Sequence, residues 1–214
     1  MVSKTQSDKL GERLKSGAYR DDDLRELDAY RQTFVGAYTL VLGTIRSELV
    51  LEPTGRPAKS TTAIVGKLQR ETTRLSQMQD IAGCRVVVPT FEAQTETVQR
   101  LSSIFPTAEF VDRRLIPSFG YRAVHVIVSH DNALVEIQVR TRRQHQWAEL
   151  SEKLSDAIGA ELKYGGGDAQ IQQKLRWLSD AIALQERDDP DQPDEAMIDS
   201  SSETLIELYI NRYS

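Results

Sequence analysis

Glu136, Gln138 and Arg140 occupy alternate positions of the run Val135-Glu136-Ile137-Gln138-Val139-Arg140-Thr141. In a strand, successive side chains point to opposite faces, so a carboxylate, an amide and a guanidinium share one face while Val135, Ile137 and Val139 share the other. Two readings fit that pattern. One is a floor for a charged ligand, on which Glu136 holds a metal or accepts a proton and Arg140 pairs with a phosphate. The other is the solvated face of an antiparallel sheet. Asp80 is a second carboxylate of interest, because it precedes a glycine-containing turn into the apolar strand Arg85 to Val88. Asp80 and Glu136 together suit Mg²⁺ if their strands are neighbours, since that ion takes one or two carboxylates and completes its octahedron with phosphates and water. Alone, Asp80 reads equally as a turn or cap residue.

Cations cluster upstream. Arg56, Lys59, Lys67 and Arg70 surround a helix start at Ser60 to Thr62. Backbone N–H groups at such a start, ringed by positive charge, form a phosphate site; the plainer reading is a loop followed by a solvated helix face. Tyr121, in Gly120-Tyr121-Arg122, either stacks on a base or is partly buried structure. Other chemistries find less support. His125, His130 and His145 form no metal-ligand pattern. Gly165-Gly166-Gly167 lacks the lysine and hydroxyl residue of a P-loop and reads as a helix-ending turn. Cys84 has no sequence-local base and reads as a small buried residue, and no nucleophile-elbow motif is present.

The elements that must position these residues are set by periodicity. Leu24, Leu27, Phe34, Tyr38, Val41, Ile45 and Leu49 recur at helical steps, predicting one long helix over 23–49 with Asp21 to Asp23 as its cap and first-turn charge. Pro53, Gly55 and Pro57 predict a loop, and a second helix is expected over 61–74. Arg85 to Val88 reads as a strand ended by Pro89, and Phe91 to Phe105 as a helix. Alternation at Val124, Val126 and Val128, then at Val135, Ile137 and Val139, predicts two strands joined by a turn at His130-Asp131-Asn132. Helices are expected over 144–158, 170–185 and 203–213, the last after a polar linker over 188–202 and carrying a stripe of Leu205, Ile206, Leu208, Tyr209 and Ile210. That stripe fits either self-association or packing on its own domain.

Length and composition bound the function. The chain has 214 residues, of which 39% are hydrophobic and 28% charged, enough apolar material for a core and against global disorder. A single cysteine excludes an intrachain disulfide and multi-cysteine zinc or iron–sulfur sites. The polar start, Met1 to Gly11, lacks the apolar core of a signal peptide, and no stretch is long enough to cross a bilayer, so a cytoplasmic protein is expected. A net charge of −5 argues against a dedicated nucleic-acid-coating protein. Charge is uneven, however. The segment from Pro53 to Pro89 is basic, six arginines face three acids between Asp112 and Trp147, and two arginines face nine acids from Glu186 onward. The middle of the chain thus suits a polyanion such as a nucleotide.

Five segments, in order over roughly residues 55 to 165, resemble the synthetase domain of the RelA/SpoT family, especially its short stand-alone alarmone synthetases. They are Gly55-Arg56 with Lys59 through Lys67-Leu68 and Arg70, Asp80-Ile81-Ala82-Gly83-Cys84-Arg85-Val86, Gly120-Tyr121-Arg122-Ala123-Val124-His125, Val135 to Thr141, and Gln144-His145-Gln146-Trp147-Ala148. The resemblance implies an α/β (α+β) fold: a mixed sheet flanked by helices, similar to nucleotidyltransferases, with extra N- and C-terminal helices. The domains expected are an N-terminal helical segment over 1–52, the synthetase domain over 53–187, and an acidic linker with a C-terminal helix over 188–214. The implied activity is that of an ATP-dependent pyrophosphokinase, moving the β,γ-diphosphate of ATP to the 3′-hydroxyl of GDP or GTP to make (p)ppGpp, with Mg²⁺ as cofactor.

By position, the resemblance implies that Asp80 holds Mg²⁺ and that Glu136 binds the metal or activates the 3′-hydroxyl. It implies that Arg56 and Arg85 sandwich the adenine, that Lys59, Lys67 and Arg70 hold the phosphates of ATP, that Tyr121 stacks on the acceptor guanine, and that His125, Gln138 and Arg140 line the acceptor side. The chain departs from the family pattern at three places. Pro57 and Ala58 separate Arg56 from Lys59 where one residue is usual. Pro117-Ser118-Phe119-Gly120 is one residue short and lacks a lysine and an asparagine, and Ser151-Glu152 stands near where Glu-His is usual. No segment resembles the family's hydrolase domain, so synthesis without degradation is expected. The main alternative is a toxic synthetase that pyrophosphorylates the 3′ CCA end of tRNA, or adenosine nucleotides, with an antitoxin partner. Lys4, Lys9, Arg13, Lys15, Arg113 and Arg114 would supply its basic surface. A non-catalytic module binding nucleotide or partner is the third reading, and homo-oligomerisation is compatible with all three.

Overall fold

A computed structural model describes residues 3–188. Capping and turn residues divide the amino-terminal part into helices α1 (Lys4–Ser16), α2 (Asp21–Gln32) and α3 (Val35–Thr44), the last running into a π-helical turn, Ile45–Leu49. The long helix expected over 23–49 is therefore interrupted. At Thr33 and Phe34 the N–H groups bond back three residues, to Tyr30 and Arg31, which tightens the chain and re-aims α3. Asp23 caps α2 from inside the helix, its carboxylate accepting the Arg20 N–H at 2.9 Å, and all three aspartates lie in the first turn.

Then come β1 (Thr54–Arg56), α4 (Thr61–Arg70), a 3₁₀ turn Leu75–Gln77, β2 (Ala82–Val88), α5 (Phe91–Ile104) and β3 (Glu109–Asp112). The remaining elements are β4 (Val124–His130), β5 (Ala133–Thr141), α6 (Arg142–Ile158), a 3₁₀ turn Ala160–Tyr164, and α7 (Ala169–Asp188). β1 replaces an expected loop, β3 is a strand in a segment for which no element was predicted, and the helix expected to reach residue 74 ends at Arg70. Strands β4 and β5 form the expected hairpin, with Asp131 and Asn132 both at positive φ (50° and 63°) as a two-residue turn matched to strand twist demands. Gly165 ends the 3₁₀ turn in the left-handed region, as the glycine run predicted. The helix expected over 203–213 and the acidic linker lie outside the described residues.

The five strands form one sheet in the order β1-β2-β5-β4-β3, a mixed arrangement in which β1 and β2 are antiparallel. Burial alternates strictly along β2 and over most of β5, the signature of strands with one face in a core. By contacts the described chain divides into two compact units: residues 3–86, 101–110 and 126–138, and residues 87–100, 111–125 and 139–188. The first has a core of Leu10, Leu14, Leu27, Ile45, Ile64, Leu68, Leu75 and Ile81, all essentially without exposed surface. Within it Tyr30 donates its hydroxyl to the Leu75 carbonyl at 3.2 Å, and burial pushes that phenol up to about 12. The second unit is built on a cluster of Trp147, Leu150, Leu154, Leu162, Leu175, Leu178 and Ile182 from α6, its adjoining turn and α7.

Candidate functional site

In the first unit, charge organises the site. The Lys59 N–H donates to the Ile81 carbonyl at 2.7 Å, tying the loop after β1 to the approach of β2. Ser60 then caps α4, accepting the Ala63 N–H at 3.3 Å, and Lys67 lies further along that helix. These two anchors bring both lysines onto Asp80. Lys59 Nζ lies 2.8 Å from one carboxylate oxygen and Lys67 Nζ 3.0 Å from the other. The three side chains are only 14%, 23% and 22% exposed, so the ion pairs are less screened than surface ones. Burial pushes the Asp80 carboxyl up, but Lys59 and Lys67 outweigh it and hold the group below the usual carboxylate range.

Glu136 is positioned by the sheet. Arg56 of β1 faces Gly83 of β2 in register, and a Cβ on Gly83 would lie 3.0 Å from the Glu136 carbonyl oxygen and 3.5 Å from its Cβ. Side chains that neighbour one another across strands point to the same face. Arg56, Gly83 and Glu136 therefore form one row across the sheet. Arg85, two residues along β2, stands on the same face opposite Thr54. Gln138 Nε2 donates to Glu136 Oε2 at 2.7 Å, which orients the carboxylate. Cys84 points the other way and is buried. Desolvation first, and the Glu136 charge second, push its thiol up to about 12, as expected for an inert core cysteine. Arg70, at the end of α4, is exposed, with its guanidinium lying over Gly66.

In the second unit, packing organises the site. Ser118 and Tyr121 exchange both backbone hydrogen bonds, at 2.9 and 3.1 Å, so Phe119 and Gly120 form a two-residue turn with φ of 53° and 92°. A Cβ on Gly120 would meet the Trp147 ring at 2.7 Å, so only glycine fits there. Trp147 donates its ring N–H to the Leu175 carbonyl at 2.8 Å, and Ser179 donates its hydroxyl to the Gly120 carbonyl. Arg122 completes the clamp, reaching Ser179 at 3.0 Å and Asp180 at 2.6 Å. Tyr121 stands on this base. The buried Arg140 guanidinium lies 4.9 Å from its ring centroid and donates to its hydroxyl at 2.9 Å. His125 is a tilted ring neighbour at 5.6 Å.

Each residue singled out from the sequence thus falls into one of two groups. Arg56, Lys59, Lys67, Asp80, Arg85, Glu136 and Gln138 belong to the first unit, as does Arg70. Tyr121, His125 and Arg140 belong to the second. Sequence reasoning gave Asp80 and the lysines separate tasks and missed their mutual pairing. It also missed Trp147, Ser179 and Asp180 as supports of Tyr121; the sole signal was Arg122, a charged residue beside a buried strand.

Residues 55–157 match the sequence model described as the region found in RelA / SpoT proteins. This segment is similar to the RelA/SpoT family. An uncharacterized protein of Mycobacterium tuberculosis is 34% identical over 139 residues, covering 59% of this chain and 51% of that protein. A GTP pyrophosphokinase of Escherichia coli K12 is 29% identical over 161 residues, covering 68% of this chain and 21% of that one. The chain thus spans about half the length, or less, of these curated relatives. The crystal structure of small alarmone synthetase 1 from Bacillus subtilis bound to its product pppGpp superposes with a TM-score of 0.59 at 21% identity, covering 89% of this chain and all of that one, which establishes a shared fold.

Proposed function

We propose that this protein is an ATP-dependent pyrophosphokinase that transfers the β,γ-diphosphate of ATP to the 3′-hydroxyl of GDP or GTP, making (p)ppGpp. The observation that carries the reading is the pairing of a carboxylate with two lysines, Asp80 with Lys59 and Lys67, in the same unit as Glu136, which lies beside Gly83 on the sheet. Diphosphoryl transfer needs charge neutralisation, alignment and an activated hydroxyl rather than a protein nucleophile, and those are the groups present.

In this reading Lys59 and Lys67 bind the phosphates, and Arg56 and Arg85, diagonal neighbours on one sheet face, take the adenine between their guanidinium planes. Arg70 adds a peripheral phosphate contact. The Glu136 carboxylate, oriented by Gln138, accepts the proton of the 3′-hydroxyl. The hydroxyl oxygen forms a bond to the β-phosphorus as the bond from that phosphorus to the α–β bridging oxygen breaks, and AMP leaves. Tyr121 offers its ring to the acceptor base, with Arg140 and His125 beside it. The donor set also fits Mg²⁺. It is made of hard carboxylate oxygens, Asp80 and Glu136, which suit an ion whose octahedron is completed by phosphates and water. Two ammonium groups on Asp80 are moreover the charge equivalent of one divalent cation. When bound, Mg²⁺ supplies neutralisation of the phosphate oxygens. No helix among the described residues is long and apolar enough to cross a membrane.

The test is transfer from γ-³²P-labelled ATP with Mg²⁺, offering GDP, GTP, AMP, ADP and deacylated tRNA separately, with Glu136→Gln as control. Label on a guanosine nucleotide supports the proposal. Label on tRNA alone replaces it with the translation-blocking alternative, and no label with any acceptor removes the enzymatic reading.

A further inference from the structure

We infer that Asp80, Lys59 and Lys67 form a resting ion-pair cluster that exchanges partners as a unit, the ammonium groups passing to nucleotide phosphates as the carboxylate passes to a divalent cation. This rests on the donor-site reading above and adds a consequence to it: neither ligand binds well without the other.

Charge and reach both favour the exchange. The two carboxylate oxygens of Asp80 are engaged, one by each lysine, at 2.8 and 3.0 Å. All three groups are largely withdrawn from water, where an unpaired charge is costly. A divalent cation arriving alone would have to strip Asp80 from both lysines and would then face two stranded ammonium groups. A metal-free polyphosphate arriving alone would draw the lysines off and confront a bare carboxylate. When both arrive, every charge regains an opposite partner. The backbone need not move, because the Lys59 N–H is bonded to Ile81 and α4 is capped by Ser60. Lysine's flexible four-carbon stem can swing from one acceptor to another without such movement. Coupling of this kind between two ligands is typically worth roughly 5- to 150-fold in affinity.

The exchange predicts effects opposite in sign to simple loss of a ligand. The probe is α,β-methylene ATP, titrated calorimetrically into the full chain in EDTA and again with Mg²⁺. Asp80→Asn releases both lysines, so the metal-free analogue should bind this variant about tenfold tighter than wild type, within the coupling range above, while Mg²⁺ improves its binding far less. Reciprocally, Lys67→Gln loosens the hold on Asp80, so Mn²⁺ alone, followed by electron paramagnetic resonance, should bind that variant more tightly than wild type. If Asp80→Asn does not fold, as judged by circular dichroism, the Lys67→Gln measurement decides by itself. Metal-free binding by Asp80→Asn that is no tighter than wild type, or unchanged Mn²⁺ binding by Lys67→Gln, would overturn the exchange while leaving the donor-site reading intact. Failure of the analogue to bind any of these proteins, with or without Mg²⁺, would overturn the donor-site reading itself.

Discussion

The two groups of candidate residues are held by different physics. Around Asp80 the side chains are partly exposed and kept in place by opposite charge, on backbones anchored by one strand-extending hydrogen bond and one helix cap. Around Tyr121 there is almost no choice of conformation: a positive-φ turn sits on the Trp147 ring, and Ser179, Leu175 and Asp180 of α7 hold it from below. The first arrangement can rearrange when charged ligands arrive. The second is a preformed platform whose geometry the fold has already fixed. Charge there is used for packing, since Arg140 is spent on the face and hydroxyl of Tyr121.

The largest expected effect separates chemistry from stability. Glu136→Gln keeps the shape and the contact to Gln138 but removes the proposed proton acceptor. Transfer should fall by about 10²- to 10⁴-fold, the usual contribution of a general base, with the thermal midpoint little changed. A variant that keeps wild-type turnover would mean that Glu136 belongs to a solvated sheet face after all.

Next in size is the platform's foundation. Trp147→Ala deletes a side chain that is 4% exposed and removes the ring under Gly120. A cost of about 3–5 kcal/mol is expected for such a truncation, measured by denaturant unfolding. A loss below 1 kcal/mol would show that the second unit is not organised by packing in the way the contacts suggest.

Acid should act on the charged region in its own way. Asp80 has a folded pKa held below its unfolded value, about 3.9 for a free aspartate, by the lysine pair in spite of burial. A group depressed in this way stabilises the fold fully above the unfolded value and loses that contribution as pH falls from about 4 through the lower, folded value. Thermal midpoints tracked from pH 6 downward should therefore fall more steeply for wild type than for Asp80→Asn below about pH 4. Parallel curves would mean that the pairing adds nothing to stability.

Much of the site was legible in the sequence because it depends on local pattern. The alternation through β5 put Glu136 and Gln138 on one face, and the turn residues Asp131 and Asn132 announced the hairpin. The hidden features depend on partners distant in the chain. Strand β1 is three exposed residues between prolines, and becomes a strand only by pairing with β2. The break at Thr33–Phe34 interrupts a run whose apolar period passes straight through it. Asp80 and Lys67 are 13 residues apart and Arg122 and Asp180 are 58 apart, so neither pairing leaves a periodic trace. The matched RelA/SpoT segment stops at residue 157, so Ser179 and Asp180, which hold the platform, lie beyond the stretch that is similar to the family.

The smallest expected effect, and the finest contrast, lies at Ser179. Its hydroxyl donates to the Gly120 carbonyl and accepts from the buried Arg122 guanidinium. Ser179→Ala leaves those two groups a partner short without opening a cavity of any size, so a cost of about 1–3 kcal/mol is expected. If the clamp serves only the fold, the loss should appear in unfolding alone. If it sets the Tyr121 platform, KM for the acceptor should rise while KM for ATP stays put, because the residues proposed to bind ATP belong to the other unit. Equal changes in both constants would instead mean that the two groups of residues are mechanically linked, and that the contrast between a rearranging and a preformed region does not hold.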